Sequence, residues 1–205
     1  MQAVDEIVLR AIAKWPNVPA VYGWLRLDRR GDWWIKDERV HNPAITAFIG
    51  RNYAHDDKGR WFFQNGPQRV FVTLAYAPFV YRVAGAEGGP VELEAHTGRA
   101  VGTVSSAWID EDGALMLETE LGIGVVHDRD LARLLPLFID ANGSALPEDV
   151  LEELMELTQQ GRSAPLWLKL RDTALSVGTV RASEVPARFG YVPDPAPPAD
   201  EEQCR

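Results

Sequence analysis

Apolar and polar residues alternate along several stretches of the chain, and this pattern predicts short β-strands. In the clearest stretch, Val70, Val72 and Leu74 occupy one face, while Arg69, Phe71 and Thr73 occupy the other. Asn65-Gly66 precedes this strand and predicts a type I′ hairpin turn, because both residues tolerate positive φ. A shorter hairpin is predicted from Trp24–Asp28 and Trp33–Lys36, with Gly31 in its turn.

A different spacing predicts helices. Residues 3–14 carry their apolar side chains on one stripe, as an amphipathic helix does. A second helix is predicted from Pro43, with Asn42 as its N-cap and with Ile45, Phe48, Ile49 and Tyr53 on one face. Two later helices are predicted after Asp128 and from Pro147, the second ending at Gly161.

Strands and helices in this order predict an α+β fold made of two small β-rich units. Residues 1–83 form a helix followed by a hairpin-helix-hairpin unit, and residues 84–90 are the predicted boundary. Residues 91–192 form a second, antiparallel unit with helices, and Gly122 and Gly124 predict a bulge within it. Residues 193–205 are acidic and rich in proline, which predicts disorder. The predicted strands of the second unit are 91–95, 100–104, 107–110, 114–121, 167–170 and 175–180.

The first unit also resembles a known group of bacterial proteins. The runs LRLDRRGDWWIKDERVHNPAITAFI and GRWFFQNGPQRVFVTLAYAPFVYRV are similar to the domain-of-unknown-function family numbered 1285. The matching features are the charged hairpin at Asp28–Trp33, the helix at Pro43–Tyr53 and the step Ala77-Pro78-Phe79. GALMLETELGIGVVHDRDLARLL resembles the second half of that family. The resemblance implies two small mixed α+β units and no catalytic residues.

The net charge and the composition then limit the kinds of partner and cellular location that we expect for the protein. The formal net charge is −9 and the pI is near 4.9, with basic residues scattered along the chain, which disfavours nucleic-acid binding. No run of eighteen apolar residues predicts a membrane span, and the first residues do not resemble a secretory signal. The single cysteine, Cys204, excludes an internal disulfide. We therefore expect a cytoplasmic protein.

The histidines suggest one enzymatic hypothesis. HDD at residues 55–57 and HDRD at residues 127–130 place carboxylates beside imidazoles, a combination that many metal sites use. If the two loops meet, His55, Asp57, His127 and Asp130, with Asp56 and Asp128, could serve a metal-assisted hydrolase. However, no spacing places two of the histidines on one helical face, so a polar loop and a helix cap are favoured.

Other chemical motifs fail at the positions that distinguish them. DANGSALPEDVLE begins like a calcium-binding loop, but Ala145 replaces the required glycine and Leu151 replaces the bidentate glutamate. No serine lies in a nucleophile elbow, and no glycine-rich loop carries the lysine of a phosphate site. We therefore predict no cofactor and no catalytic residue.

The aromatic and basic residues favour a binding module instead. Trp33 and Trp34 are adjacent, so on a strand one of them points away from the core. Gln64, Arg60 and Arg69 flank the second hairpin and can donate hydrogen bonds to an anion. We predict that these five residues line a cleft between the units and bind a small anionic ligand or a protein partner. A homodimer assembled through the helix at residues 3–14 is a further hypothesis.

Overall fold

The computed structural model describes residues 6–15, 18–85 and 91–198. The chain forms two compact units, and each is described by itself below. The first comprises Met1–Pro78 with Phe189–Arg205, and the second is Phe79–Arg188. Both combine helices with a mixed β-sheet, so the predicted α+β class is confirmed. Among the described residues, no helix is both long and apolar enough to cross a membrane.

In the first unit, two hairpins share one sheet. Its six strands, over the described residues, lie in the order β3-β2-β1-β6-β5-β4. Neighbouring strands are antiparallel except β1 and β6, which run parallel in the middle of the sheet. Hairpin, helix and hairpin thus follow one another as predicted. The elements are α1 (Glu6–Lys14), β1 (Val21–Leu27), β2 (Trp33–Ile35), β3 (Glu38–Arg39), α2 (Pro43–Arg51), β4 (Tyr53–His55), β5 (Trp61–Asn65) and β6 (Gln68–Leu74).

Helix α2 begins as its sequence predicts. The Asn42 side chain accepts hydrogen bonds from the backbone N–H groups of Ala44, at 2.9 Å, and Ile45, at 3.4 Å. These are two of the N–H groups that a helix start leaves without an internal partner. Ile49 is buried on the face that meets the sheet, and Phe48 packs edge-on against Phe63 of β5.

The turn between β5 and β6 differs from the predicted type. Asn65 pairs with Gln68, so the two turn residues are Gly66 and Pro67. Gly66 has φ +56°, whereas Asn65 keeps an ordinary negative φ. A glycine at positive φ in the first turn position fits a type II′ turn, and its second position needs no N–H donor. Pro67 is therefore accommodated, and the predicted type I′ turn is wrong.

In the second unit, eight described strands form one sheet in the order β12-β13-β14-β9-β10-β11-β7-β8. The pairs β7–β11 and β9–β14 are parallel, so the unit is mixed rather than antiparallel as predicted. Each parallel pair is joined through intervening elements, as parallel strands require, since a tight turn can connect only antiparallel neighbours. The elements are β7 (Phe79–Ala84), β8 (Glu92–Ala95), β9 (Val104–Ile109), β10 (Leu115–Thr119), β11 (Gly122–Val126), α3 (Leu131–Leu134), β12 (Phe138–Ile139), α4 (Glu148–Gln159), β13 (Trp167–Leu170), β14 (Thr173–Thr179) and α5 (Val185–Phe189), whose last residue belongs to the first unit.

Two local predictions in this unit are corrected. Gly122 and Gly124 lie in strand β11 and not in a bulge. A Cβ atom on Gly124 would lie 2.4 Å from the Tyr81 ring, so this strand needs glycine for close packing. A strand is predicted at residues 100–104. In the structure, Ala100 forms only an isolated bridge with Glu94, the N–H of Val101 donates to the carbonyl of Leu93 at 2.8 Å, and strand β9 begins at Val104.

The division between the units also differs from the predicted boundary at residues 84–90. Strand β7 pairs with β8 and β11, so it belongs to the second unit. The segment from Phe189 returns to the first unit, where the N–H of Leu74 donates to the carbonyl of Pro193 at 2.7 Å. Asp194 also accepts from the hydroxyl of Thr73 at 3.0 Å, so Pro193 and Asp194 lie against strand β6, in contrast to the disorder predicted for them. Residues 199–205 of the predicted tail lie outside the described residues.

Candidate functional site

The first sheet has two chemically different faces. Alternation along β1 places Leu25 and Leu27 on the face that α2 covers, where both are buried. Arg26 lies on the opposite face and pairs across the sheet with Trp34 of β2 and Thr73 of β6. The same alternation places Phe71 and Phe62 on this opposite face. We call it the arginine face, after Arg26, Arg60 and Arg69.

Two of the five predicted ligand-binding residues are not accessible. Trp33 lies on the α2 side, is 1% exposed and packs edge-on against Tyr53. Gln64 is 4% exposed, and its amide donates to the carbonyl of Gly66 at 2.9 Å. The prediction that one of the adjacent tryptophans points away from the core is fulfilled by Trp34, but Trp33 and Gln64 serve the fold.

Arg60 is held by an acidic partner. Its Nε and Nη2 lie 2.8 Å and 2.6 Å from one carboxylate oxygen of Asp56, and the guanidinium stacks on Phe71. Burial favours the neutral form of Asp56, but the hydrogen bonds from Arg60 and from the backbone of Lys58 outweigh it and lower the pKa of Asp56. Since its charge is already paired, Arg60 is poorly suited to recruit an anion.

Arg69 and Arg26 are the more available cations of the face. Arg69 stacks on Phe62 with its guanidinium carbon 4.6 Å from the ring centre, and Arg26 stacks on Trp34 at 4.8 Å. The Trp34 indole donates to Asp28 at 2.8 Å, which fixes the ring. Among the described residues, neither arginine side chain forms an ion pair or a hydrogen bond, so their N–H groups can serve a ligand.

A depression of about 370 Å³ lies at the Arg26 end of this face. Lys36 stands over the ring of Trp24, with Nζ 3.9 Å from the ring centre, and Trp24 is 44% exposed. Lys36 has φ +53°, which is uncommon for a residue with a side chain. Thr73 and the carboxylate of Asp37 complete the polar lining. We call this site the Trp24 depression; it is lined by Gly23, Trp24, Leu25, Arg26, Lys36, Asp37 and Thr73.

Charge is unevenly distributed between the units. Residues 1–78 contain eleven Lys and Arg and eight Asp and Glu, whereas residues 79–188 contain nine and eighteen. Five of the seven tryptophans also lie within residues 1–78. Residues 189–205 add one Arg and four Asp and Glu, so the first unit as a whole carries twelve basic and twelve acidic residues, and the acidic excess of the chain lies in the second unit. The aromatic first unit therefore repels an anion less than the second unit does.

The histidine loops do not support the metal hypothesis. Among the described residues, no group of three or more His, Cys, Asp and Glu side chains could hold a metal ion. His55 packs on Trp61, with its Nδ1 3.1 Å from the Asp56 carbonyl. His127 is buried and caps a short 3₁₀ turn, where its Nδ1 accepts from the N–H of Arg129 at 3.1 Å. Asp130 accepts from the N–H of Val83 at 3.1 Å. Asp57 accepts no hydrogen bond from the described residues.

The predicted dimer helix keeps some apolar surface exposed. In α1, Val8 is buried, whereas Leu9 is 53% exposed. Trp15, directly after the helix, is 51% exposed, and Lys14 lies over its ring. The homodimer through this helix stays a prediction, as does the cleft between the units.

The sequence did not single out Arg26, Lys36 or Thr73 as site residues. Alternation alone puts Trp24 and Arg26 on one face of β1, which is a usable signal. The approach of Thr73 depends on the parallel pairing of β1 with β6, whose residues lie far apart in the chain. No local pattern specifies such a pairing.

Comparison with known proteins gives the family but no activity. No curated protein matches the chain significantly. A DUF1285 family protein from Silicibacter pomeroyi DSS-3 is 18% identical, with a TM-score of 0.48, and the match covers 74% of this chain and 92% of that one. A DUF1285 family protein from Shewanella baltica OS155 is 16% identical, with a TM-score of 0.41, covering 54% and 88%. Both carry the number of the family that residues 24–83 resemble.

A family model covers nearly the whole chain. The family is named DUF2944 and described as "Protein of unknown function (DUF2946)", and its model matches residues 4–196. Because the match extends over both units, the chain belongs to this family.

Proposed function

We propose that the protein is a binding module that holds a small anionic ligand in the Trp24 depression of the first unit. The observation that carries the proposal is the pair Arg26 and Lys36. Both line the depression. The guanidinium of Arg26 lies over the Trp34 ring, and the ammonium of Lys36 lies over the Trp24 ring. Neither side chain has a carboxylate partner among the described residues, although the chain as a whole carries an excess of acid.

Stacking on the indoles prepares these cations for an anion. A guanidinium that lies face-on over a ring keeps its N–H groups at the edge, where they point away from the ring. Trp34 is itself fixed by its hydrogen bond to Asp28. Arg26 therefore loses little side-chain entropy when a carboxylate or phosphate oxygen accepts its N–H groups.

The remaining lining favours a ligand of low charge. Asp37 sets one carboxylate against the two cations, and Asp194 already accepts a hydrogen bond from Thr73 at 3.0 Å. A polyanion would be repelled by these acids, whereas a monoanion or dianion would gain from Arg26 and Lys36. The volume of about 370 Å³ falls in the range of small-molecule sites.

Titration of the full-length protein with malonate, and separately with inorganic phosphate, tests the proposal. The readout is the NMR signal of the Trp24 indole N–H, assigned with Trp24→Phe. We expect saturable shifts with either anion. Arg26→Gln and Lys36→Gln should each weaken binding roughly tenfold, the effect of losing one charge-assisted hydrogen bond.

Lys58→Gln is the matched control, because it removes one positive charge from the first unit without touching the depression. It should leave the affinity unchanged. Equal weakening by Lys58→Gln would mean that only the general charge of the unit attracts anions. The absence of any saturable shift with both anions would also reject the proposal.

A further inference from the structure

The second unit contains a fork between two parallel strands. Strands β9 and β14 pair only through Val177–Ala107, Gly178–Trp108 and Thr179–Ile109. The earlier part of β14, from Thr173 to Ser176, pairs with β13 on its other side but not with β9. Residues 104–106 of β9 likewise pair with β10 alone. The two strands therefore diverge towards their N-terminal ends and leave space between them.

The space within this fork is small and mostly aliphatic. It has a volume of about 150 Å³. Leu93, Val101 and Leu170 are each less than a tenth exposed. Cavities of roughly this size, lined by aliphatic side chains, hold one molecule the size of benzene. Its apolar lining consists of Val91, Leu93, Val101, Val104, Leu170 and Leu175.

A cation lies at the edge of the fork. Arg171 follows β13 with φ +53°, and its Nη1 donates to the carbonyl of Gly102 at 2.9 Å, so the side chain bridges from the β13–β14 turn to the segment before β9. Arg171 forms no ion pair with any described residue. Its other N–H groups remain available. Thr103 and Thr173 belong to the same lining, although the Thr103 hydroxyl already donates to Glu120 at 3.1 Å.

The carboxylates near Arg171 in the described residues do not form an ion pair with it. Glu120 is the carboxylate that reaches the Gly102 segment, and it accepts from the N–H groups of Gly102, at 2.6 Å, and Thr103, at 2.9 Å. These bonds outweigh the cost of burial and lower the pKa of Glu120. Asp172, next to Arg171, is exposed. The carboxylate of Glu120 is thus committed to the loop and not to Arg171.

We propose that this fork binds a short aliphatic monocarboxylate, whose tail enters between β9 and β14 while its carboxylate pairs with Arg171. The apolar lining selects the tail, and the available guanidinium selects the anionic head. The acidic excess of residues 79–188 repels ligands of higher charge. This site is independent of the Trp24 depression, whose lining contains one aliphatic side chain, Leu25, against six in the fork.

Hexanoate and hexan-1-ol are the probes, because they share a tail and differ in the charge of the head. Each is titrated into the full-length protein while the NMR signals of the Leu and Val methyl groups are followed. We expect saturable shifts at Val104 and Leu175, with hexanoate binding roughly tenfold more tightly than hexan-1-ol. Equal affinities, or shifts spread over methyl groups outside the fork, would overturn the proposal.

Two variants and one control complete the test. Arg171→Gln should weaken hexanoate roughly tenfold and leave hexan-1-ol unchanged, whereas Lys169→Gln, an exposed charge on the same strand, should change neither. Val104→Phe should fill the fork and abolish the binding of both probes. Circular dichroism establishes that each variant is folded. Undiminished hexanoate binding by folded Val104→Phe would overturn the proposal even if Arg171→Gln failed to fold.

Discussion

At the scale of single residues, alternation predicts the direction of a side chain but not its partner. The adjacent tryptophans show this well, since one had to point away from the core and Trp34 does so. Alternation does not indicate that Gln64 is buried with its amide bonded to Gly66, two residues away, or that Arg60 is bound by Asp56, four residues away. These contacts depend on how the turns fold back. The sequence therefore predicts a basic, aromatic face but misassigns which of its residues are available.

Asp56 gives a prediction about pH. Its pKa is lowered in the folded protein, so its contribution to the free energy of unfolding is present above the ordinary pKa of an aspartate, about 3.9, and is lost as the pH falls through the lower folded value. Asp56→Asn should therefore reduce stability at pH 6 by roughly 1 kcal/mol. The difference from the wild type should shrink towards pH 3, as measured by urea unfolding across that range.

Asp57→Asn is the control for this measurement, because the neighbouring carboxylate accepts no hydrogen bond from the described residues. It should leave the stability at pH 6 within a few tenths of a kcal/mol of the wild type. A difference between Asp56→Asn and the wild type that stays constant from pH 6 to pH 3 would contradict the assignment of the lowered pKa to Asp56.

At the scale of elements, the sequence correctly predicts features that depend on residues close together in the chain, such as the start of a helix. Helix α2 is the best case, since Asn42 and Pro43 mark its start and the structure shows the cap. Strand β11 is the opposite case. From the local sequence alone, its two glycines suggest a bulge. The rings of Phe79 and Tyr81 explain why a regular strand needs glycine here; they belong to β7, which is next to β11 in the sheet but far from it along the chain.

The Asn42 cap can be measured directly. Asn42→Ala removes the acceptor for the N–H groups of Ala44 and Ile45 and should lower the free energy of unfolding by about 1 kcal/mol. Asn42→Asp keeps an oxygen acceptor and should retain most of the stability. Both values come from urea unfolding followed by circular dichroism. Equal losses in the two variants would show that the cap is not the stabilising feature.

The segment from Phe189 is an element that no sequence pattern predicts. Gly59 has φ +73°, and a Cβ atom on it would lie 2.2 Å from the carbonyl oxygen of Gly190. The N–H of Val192 donates to the Gly59 carbonyl at 2.9 Å, and the hydroxyl of Tyr191 donates to the Tyr76 carbonyl at 2.7 Å. The β4–β5 turn therefore needs glycine for two reasons, its own conformation and the close approach of the returning chain.

Two glycine substitutions separate these reasons. Gly98 also has positive φ, but a Cβ atom there meets nothing within 4 Å. Gly98→Ala should cost only the conformational penalty of about 1 kcal/mol, while Gly59→Ala should cost roughly 1–3 kcal/mol more because it also displaces Gly190. Thermal unfolding of both variants gives the comparison. Equal losses would show that the approach of residues 190–192 contributes nothing measurable.

At the scale of the whole molecule, the two units differ in how the chain builds them. The second is one continuous segment, and the eight strands described in its sheet all lie between Phe79 and Arg188. The first is discontinuous, because residues from Phe189 onwards supply hydrogen bonds to Leu74, Gly59 and Tyr76. A fragment contains all of its backbone hydrogen-bond partners only if the unit is built from one continuous segment of the chain.

This difference predicts how fragments behave. A chain of residues 79–188 should unfold cooperatively in urea, since its sheet is complete. A chain of residues 1–78 should be less stable, because the N–H of Leu74 and the carbonyl of Gly59 lose their partners in the returning segment.

Joining residues 189–198 to Pro78 through a flexible Gly–Ser linker of about ten residues should restore much of that stability, since it supplies the segment at high effective concentration. The same linked chain carrying Gly59→Ala should gain less, because Gly190 could not approach. If residues 1–78 alone were as stable as the linked chain, the returning segment would have no part in stabilising the first unit.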